Sequence, residues 1–317
     1  MLREWGPACH TDPMDREIRE SRRLGNRLRT AVLLKRAGRH ADALDDFEDL
    51  WRAGGESAEA AGEHLLETLL ELEPPQRLAQ AARLEDLARE GLEGADSLWR
   101  AWFPAASNIV GGSPGSLALR RFLYEHAGGE QPVLLYGEVG TGHSLSARTL
   151  HALSGRERLH EVYAPGSRRR LQGELDEVTP GSTVYLSYAS EVERWQDEIP
   201  PLLAARGARL VIGMNVVVPP PLSLDGERVP ALELVALRER LEDLPALVRE
   251  LLCRAGAAEA AETLPQRVLE DLARHDWPGN VRELANHVAR AVRRASTPEE
   301  VASHLVEDMY GLPGAVG

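Results

Sequence analysis

The chain has 317 residues, a formal net charge of −13 and a pI near 5.3. That length gives room for roughly two to three domains, and the acidic balance argues against direct binding to DNA or to an anionic membrane, both of which need basic side chains to neutralise phosphate. Two cysteines without metal-ligand company, Cys9 and Cys253, no apolar signal core and no stretch of ~20 apolar residues point to a cytoplasmic protein without disulfides, metal centre or membrane span.

Residues 1–14 show no pattern and are expected to be mobile. From Asp15 to Leu98 the face Leu28, Ala31, Val32, Lys35 and then Ala41, Leu44, Phe47, Trp51 recurs at three- and four-residue spacing, which predicts an all-α domain over 15–98. Gly38, Gly54-Gly55 and Pro74-Pro75 divide it into hairpins. The segment Gly38–Phe47 resembles the centre of a tetratricopeptide repeat, although the tryptophan, tyrosine and proline of that motif are missing. A fainter copy lies around Ala58–Leu72. A repeat array and a generic helical bundle both stay open. Asp42–Asp49 reads as the wet face of a helix. Residues 99–107, with Trp99, Trp102, Phe103 and Pro104, read as a linker.

After Asn108 the pattern changes to strand–loop–helix alternation. Segments 132–136, 182–186, 210–214 and 232–235 read as buried strands and 144–153 as a helix. This predicts a parallel three-layer α/β core over 108–240. Helices at 243–255, 265–274 and 280–295 follow in a region spanning 241–310, before a short tail, 311–317. The run Arg168–Arg170 reads as a solvated loop, offset by Glu174, Asp176 and Glu177.

Residues 137–144 read Gly-Glu-Val-Gly-Thr-Gly-His-Ser. The phosphate-binding loop G-x-x-x-x-G-K-[ST] is met at Gly137, Gly142 and Ser144, with Gly140 and Thr141 inside it, and is broken at His143. The missing lysine normally reaches the β- and γ-phosphates as a permanent cation. Histidine is shorter and, with an ordinary pKa near ~6.5, is mostly neutral at pH 7. Lys35 is the only lysine among 37 basic side chains and is not placed to substitute. The amides and helix N-terminus of such a loop hold anions. Its glycines also persist where the backbone simply needs positive φ. Weakly bound ATP or ADP and no cofactor at all are both open, and His143 reads as a pH-sensitive phosphate contact or as a degenerated lysine site.

Five ordered motifs resemble the AAA+ domain of sigma-54-dependent transcriptional activators, the bacterial enhancer-binding proteins. They are Ile109–Pro114, Val133–Gly142, His151–Ser154, Leu237–Pro245 and Asp276-Trp-Pro-Gly-Asn-Val-Arg-Glu-Leu284, the family's lid signature. The resemblance implies a P-loop AAA+ domain with a parallel sheet and a helical lid, behind the all-α N-terminal domain. It implies that Asn215 is the sensor that positions water against the γ-phosphate, where the bland alternative is a turn cap. It implies that Arg282 contacts nucleotide phosphates, where the alternative is a lid–core salt bridge.

The departures from the family point away from catalysis. Ser187 and Tyr188 stand where it has Asp-Glu, and neither replaces an ionised carboxylate as magnesium ligand or general base. Only 35 residues lie between His151 and Ser187, without the family's sigma-contacting loop. Pro220 and Gly226 occupy the arginine-finger places, with Arg228 two positions off, and no helix-turn-helix follows the lid. No catalytic residue or metal ligand is therefore assigned. The expected function is that of a non-hydrolysing regulatory or scaffold protein that contacts protein partners through residues 15–98. Self-association or a mixed ring through the AAA+ part is the further assembly expected. The rivals are an ATP-binding regulator whose divergent motifs still work, with a carboxylate such as Glu191 supplied from elsewhere, and an inactive subunit of a mixed AAA+ ring.

Overall fold

The computed structural model describes residues 13–23, 26–165, 168–189, 195–218, 221–224 and 226–307. Expectations placed on residues 1–12, on the 311–317 tail, on Pro220 and on Glu191 lie outside these. The chain divides between Trp102 and Phe103 into two compact units.

The first unit is helical: α1 (Pro13–Arg23), α2 (Arg27–Arg36), α3 (His40–Ala53), α4 (Ala58–Leu70), α5 (Pro74–Ala79), α6 (Ala81–Arg89) and α7 (Ala95–Trp102). The expected breakers fall between helices. Gly38 takes a left-handed φ of 73° between α2 and α3. Pro74 opens α5 behind a capping box formed by Glu73 and Gln76. Ala43, Leu44, Phe47, Leu65, Leu69, Leu84 and Leu87 are buried at its centre.

Two readings of this unit need correction. The buried face of α2 is Thr30, Ala31, Leu33 and Leu34, not the Leu28–Lys35 face, because Lys35 turns outward to pair with Glu67 and Glu71, each at 3.2 Å. Glu48 is not on the wet face of α3. It is buried, held by Arg52 and by Arg83 at 2.7 Å. The division between the units falls within the expected linker, 99–107, whose residues are helical apart from Phe103, in α7 and in α8 (Pro104–Ser107) of the second unit. Trp102 lies under the Arg77 guanidinium at 5.0 Å, while Phe103 packs on Tyr124 at 5.6 Å.

The second unit continues through α9 (Pro114–Ala127), β1 (Val133–Gly137), α10 (His143–Ser154), β2 (Leu159–Tyr163), α11 (Arg168–Asp176), β3 (Thr183–Ser187), α12 (Trp195–Ala205) and β4 (Arg209–Met214). A hairpin of β5 (Ser223–Leu224) and β6 (Glu227–Arg228) precedes β7 (Ala231–Leu234). Five strands form one parallel sheet in the order β2-β3-β4-β1-β7, with helices on its faces. β1, β3 and β4 are apolar runs buried on both faces. β2 escaped the sequence reading because it is an edge strand on which only Val162 is buried. Arg168–Arg170 opens α11 rather than a loop, and Arg170 pairs with Glu174 one turn on at 2.7 Å.

The lid comprises α13 (Leu244–Arg254), α14 (Ala258–Thr263), α15 (Gln266–Leu272), α16 (Asn280–Arg294) and α17 (Pro298–Glu307). α14 and α17 add to the three helices expected. Its core centres on Trp277, fully buried between the rings of His275 and His287 and donating Nε1 to the Leu272 carbonyl at 2.9 Å.

Candidate nucleotide-binding site

The loop from β1 to α10 turns on three glycines with positive φ: Gly137 at 142°, Gly140 at 84° and Gly142 at 122°. At Gly140 the reason extends beyond φ. A Cβ there would stand 2.1 Å from the Gly279 carbonyl oxygen, because the lid signature lies directly against the loop. The Arg282 amide donates to the Gly140 carbonyl at 3.3 Å. Asn280 donates Nδ2 to the Val139 carbonyl at 3.0 Å and to Glu138 at 3.1 Å, and its Oδ1 accepts the Leu237 amide at 2.7 Å. Glu138 also takes a two-pronged contact from Arg238, at 2.8 and 2.5 Å. These bonds, that from Arg238 first and that from Asn280 second, hold the Glu138 carboxyl down at about 2.

A second network ties the Ile109–Pro114 motif to the base of the lid. Asp243, fully buried, accepts the Ser113 amide at 2.8 Å, the Ser113 hydroxyl at 2.6 Å and the Ser116 hydroxyl at 2.7 Å. Arg240 donates to the Ser116 hydroxyl at 3.0 Å and to the Thr141 carbonyl in the loop at 3.3 Å. Gly111, at φ 122°, passes so close that a Cβ would meet the Asp243 carboxyl carbon at 2.3 Å. The sequence marked both motifs but not their contact, which joins residues 130 positions apart.

A cavity of about 670 Å³ opens over the loop. Gly140, Thr141, Gly142, His143, Ser144, Asn215 and Arg282 all line it, whereas Gly137 stays behind in the strand end. Ile109, Val110, Leu119, Leu247, Leu251 and Val281 give it an apolar side. Three nitrogens on its lining residues are buried without a hydrogen-bond partner among the described residues: His143 Nε2, Asn215 Nδ2 and Arg240 Nε. Arg282 forms no lid–core ion pair among the described residues and reaches the cavity exposed. Gly142, at the N-cap of α10, offers no side chain to the first-turn amides. Orphaned nitrogens, loop amides and the Arg282 guanidinium around an apolar-sided cavity fit the phosphates and base of a nucleotide.

His143 is 8 % exposed. Burial drives its pKa down from 6.5 to about 4, the Met214 carbonyl opposes this in part, and the Arg282 cation adds to it. The ring is therefore neutral at physiological pH, and the pH-sensitive contact has no working range there. Below pH 6.5 the unfolded chain takes up a proton that the folded ring refuses until about pH 4. The stabilisation from this site is complete above pH 6.5 and is lost as pH falls through that window. Urea denaturation across it should show wild type losing on the order of 3 kcal/mol more than His143→Asn. Parallel pH profiles would remove the buried, neutral assignment.

At the end of β3 the Ser187 hydroxyl donates to the Val162 carbonyl at 3.2 Å. Tyr188, at φ 57°, packs edge-on against Tyr163 at 5.2 Å. Neither can take a proton from water at neutral pH. Gly226 and Arg228 belong to the exposed β5–β6 hairpin and do not line the cavity. The place of a sigma-contacting loop, between β2 and β3, holds the nine-residue α11.

The fold and the loop-to-lid geometry define a P-loop AAA+ module, and residues 238–311 match the AAA+ ATPase lid domain. Among curated relatives, the transcriptional regulatory protein ZraR of Klebsiella oxytoca is 29% identical, with 60% of this chain and 53% of the relative covered. The Psp operon transcriptional activator of Escherichia coli strain K12 is 26% identical over 64% of this chain and 77% of the relative. The DNA-binding transcriptional regulator NtrC of Bradyrhizobium is 28% identical over 66% and 52%. The chain spans about half the length of most of these relatives. NtrX from Brucella abortus, solved in complex with ATP, shares the fold with a TM-score of 0.52 at 24% identity, over 73% of this chain and 65% of that one. These relatives are transcriptional regulators and activators, and this chain is similar to them. No helix among the described residues is long and apolar enough to cross a membrane.

Proposed function

We propose that this protein is a nucleotide-binding, non-hydrolysing AAA+ regulator that acts in transcription control through protein contacts. One observation carries the reading. The loop keeps its backbone cradle and its lid, with unpartnered nitrogens at His143, Asn215 and Arg240, while Ser187 and Tyr188 offer no carboxylate to activate water. Losing one charged phosphate contact costs ~1.5–3 kcal/mol, or ~10–200-fold in affinity. The amides that remain leave binding at cellular nucleotide levels within reach. The nucleotide would lie with its phosphates on residues 140–144 and Arg282 and its base against Ile109, Val110 and Leu251, and it would supply occupancy rather than chemistry. Residues 15–98 are the surface proposed for a protein partner, since they hold no catalytic constellation and helical hairpins present grooves to peptides.

Calorimetric titration of the full chain with ATP, alongside a phosphate-release assay on the same sample, tests the reading. Saturable binding without release is expected, and Gly140→Ala should abolish it by driving the Gly279 turn off the loop. A wild type that does not bind, or that turns over at ~1 s⁻¹ or faster, overturns it. If fragments 1–104 and 108–317 are made separately and the partner follows only the second, the partner surface is wrongly assigned.

A further inference from the structure

AAA+ sites of the kind this fold implies hold their nucleotide through a magnesium ion, whose protein ligands are the hydroxyl at the end of the loop and a carboxylate at the end of the second catalytic strand. The residues here do not fit that ion. Ser144 has the right hydroxyl, and Tyr185 of β3 lines the cavity beside it. The place of the tyrosine is built into the sheet. Tyr185 is 3 % exposed and lies over Gly213 of β4, where a Cβ would come within 2.7 Å of the tyrosine oxygen. Burial pushes the Tyr185 hydroxyl up to about 12, so it stays neutral and does not become an anionic ligand. Ser187, at the carboxylate's place, spends its hydroxyl on the Val162 carbonyl.

The cavity's two carboxylates are also spoken for. Glu161 is held by Arg148 through two contacts, at 2.6 and 3.0 Å, and Glu250 is held by Arg254 at 2.7 Å. No group of three His, Cys, Asp or Glu side chains that could hold a metal ion occurs among the described residues. Hard divalent cations need unpaired oxygen ligands, preferably anionic. What this cavity presents instead is loop amides, the Arg282 guanidinium and orphaned nitrogens.

We propose that this site takes its nucleotide as the metal-free polyphosphate anion, with Arg282 and the loop amides in place of magnesium. The proposal rests on the nucleotide-binding reading above and adds to it the chemical form of the ligand. The argument lies in the match of charge: a magnesium-free diphosphate keeps the full negative charge that the loop amides and Arg282 complement, whereas a magnesium complex brings a cation that finds no unpaired carboxylate among the described residues.

The test is calorimetric titration of the full chain with ADP, once in millimolar magnesium chloride and once in excess EDTA. The expected result is a dissociation constant that magnesium leaves within about twofold or weakens. Tightening by magnesium of ~10-fold or more would overturn the proposal and leave the nucleotide-binding reading standing. No ADP binding in either buffer would overturn both. The double variant Tyr185→Phe/Ser187→Asp keeps the ring over Gly213, removes the hydroxyl beside Ser144 and supplies a carboxylate. Provided its melting curve matches wild type, it should gain ADP binding that magnesium tightens at least ~5-fold. A folded double variant still indifferent to magnesium would show that these two residues are not the cause.

Discussion

Replacing His143 by lysine is expected to tighten ATP binding by ~10–200-fold and to leave phosphate release at the buffer baseline. The position opens α10 beneath the cavity, and its imidazole is neutral at physiological pH. A lysine there adds a permanent cation on a longer stem to a cradle whose amides are already in place. Without nucleotide the same change should lower the melting temperature, because a buried ammonium near Arg282 lacks an anion. With saturating ATP the order should reverse, since a ligand that binds only the folded state stabilises it in proportion to the logarithm of its saturation. Turnover is a separate matter. Ser187 and Tyr188 still supply neither metal ligand nor base, and the parts of a phosphoryl-transfer site act together rather than singly. Release at ~1 s⁻¹ or faster from His143→Lys would show that these two positions do not block the chemistry. Unchanged affinity would show that the loop does not cradle phosphate.

Asp243→Ala should cost ~3–5 kcal/mol, read by scanning calorimetry on the full chain as a lower transition of the second unit. The carboxylate is fully buried and accepts three hydrogen bonds, from Ser113 twice and Ser116 once, with Arg240 at 3.9 Å. Removing it strands the Ser113 amide, leaves the largely buried Arg240 without its anion and empties the space that Gly111 was shaped to border. Asp243→Asn should cost less, because it keeps the volume and one acceptor and because the serine hydroxyls can rotate. A transition unmoved by Asp243→Ala would mean that the two networks are not what joins the Ile109–Pro114 motif to the lid.

The loop and the lid signature were legible because each is a local backbone device. Glycines at 137, 140 and 142 and the Trp277–Asn280 turn sit where only certain φ values close the chain, and sequence spacing records that directly. The breakers in the first unit were legible for the same reason. Relations between distant elements were not. That Tyr185 lies over Gly213 and lines the cavity with Ser144 depends on the order β3-β4-β1, which no local pattern states. The partnership of Ser113 and Ser116 with Asp243 joins the start of the domain to the foot of its lid. β2 was lost because an edge strand with one buried side chain, Val162, has no apolar run. Lys35 misled the reading of α2 because its long stem mimics an apolar position while its charge reaches solvent-facing Glu67 and Glu71.

The amide hydrogen bond that crosses from lid to loop also makes a clock. Among the described residues the Arg282 amide is closed by the Gly140 carbonyl. Its proton becomes exchangeable when the lid parts from the loop. Deuterium uptake at this amide therefore reports lid opening, independently of any chemistry in the cavity. A bound nucleotide that bridges residues 140–144 to Arg282 should slow it.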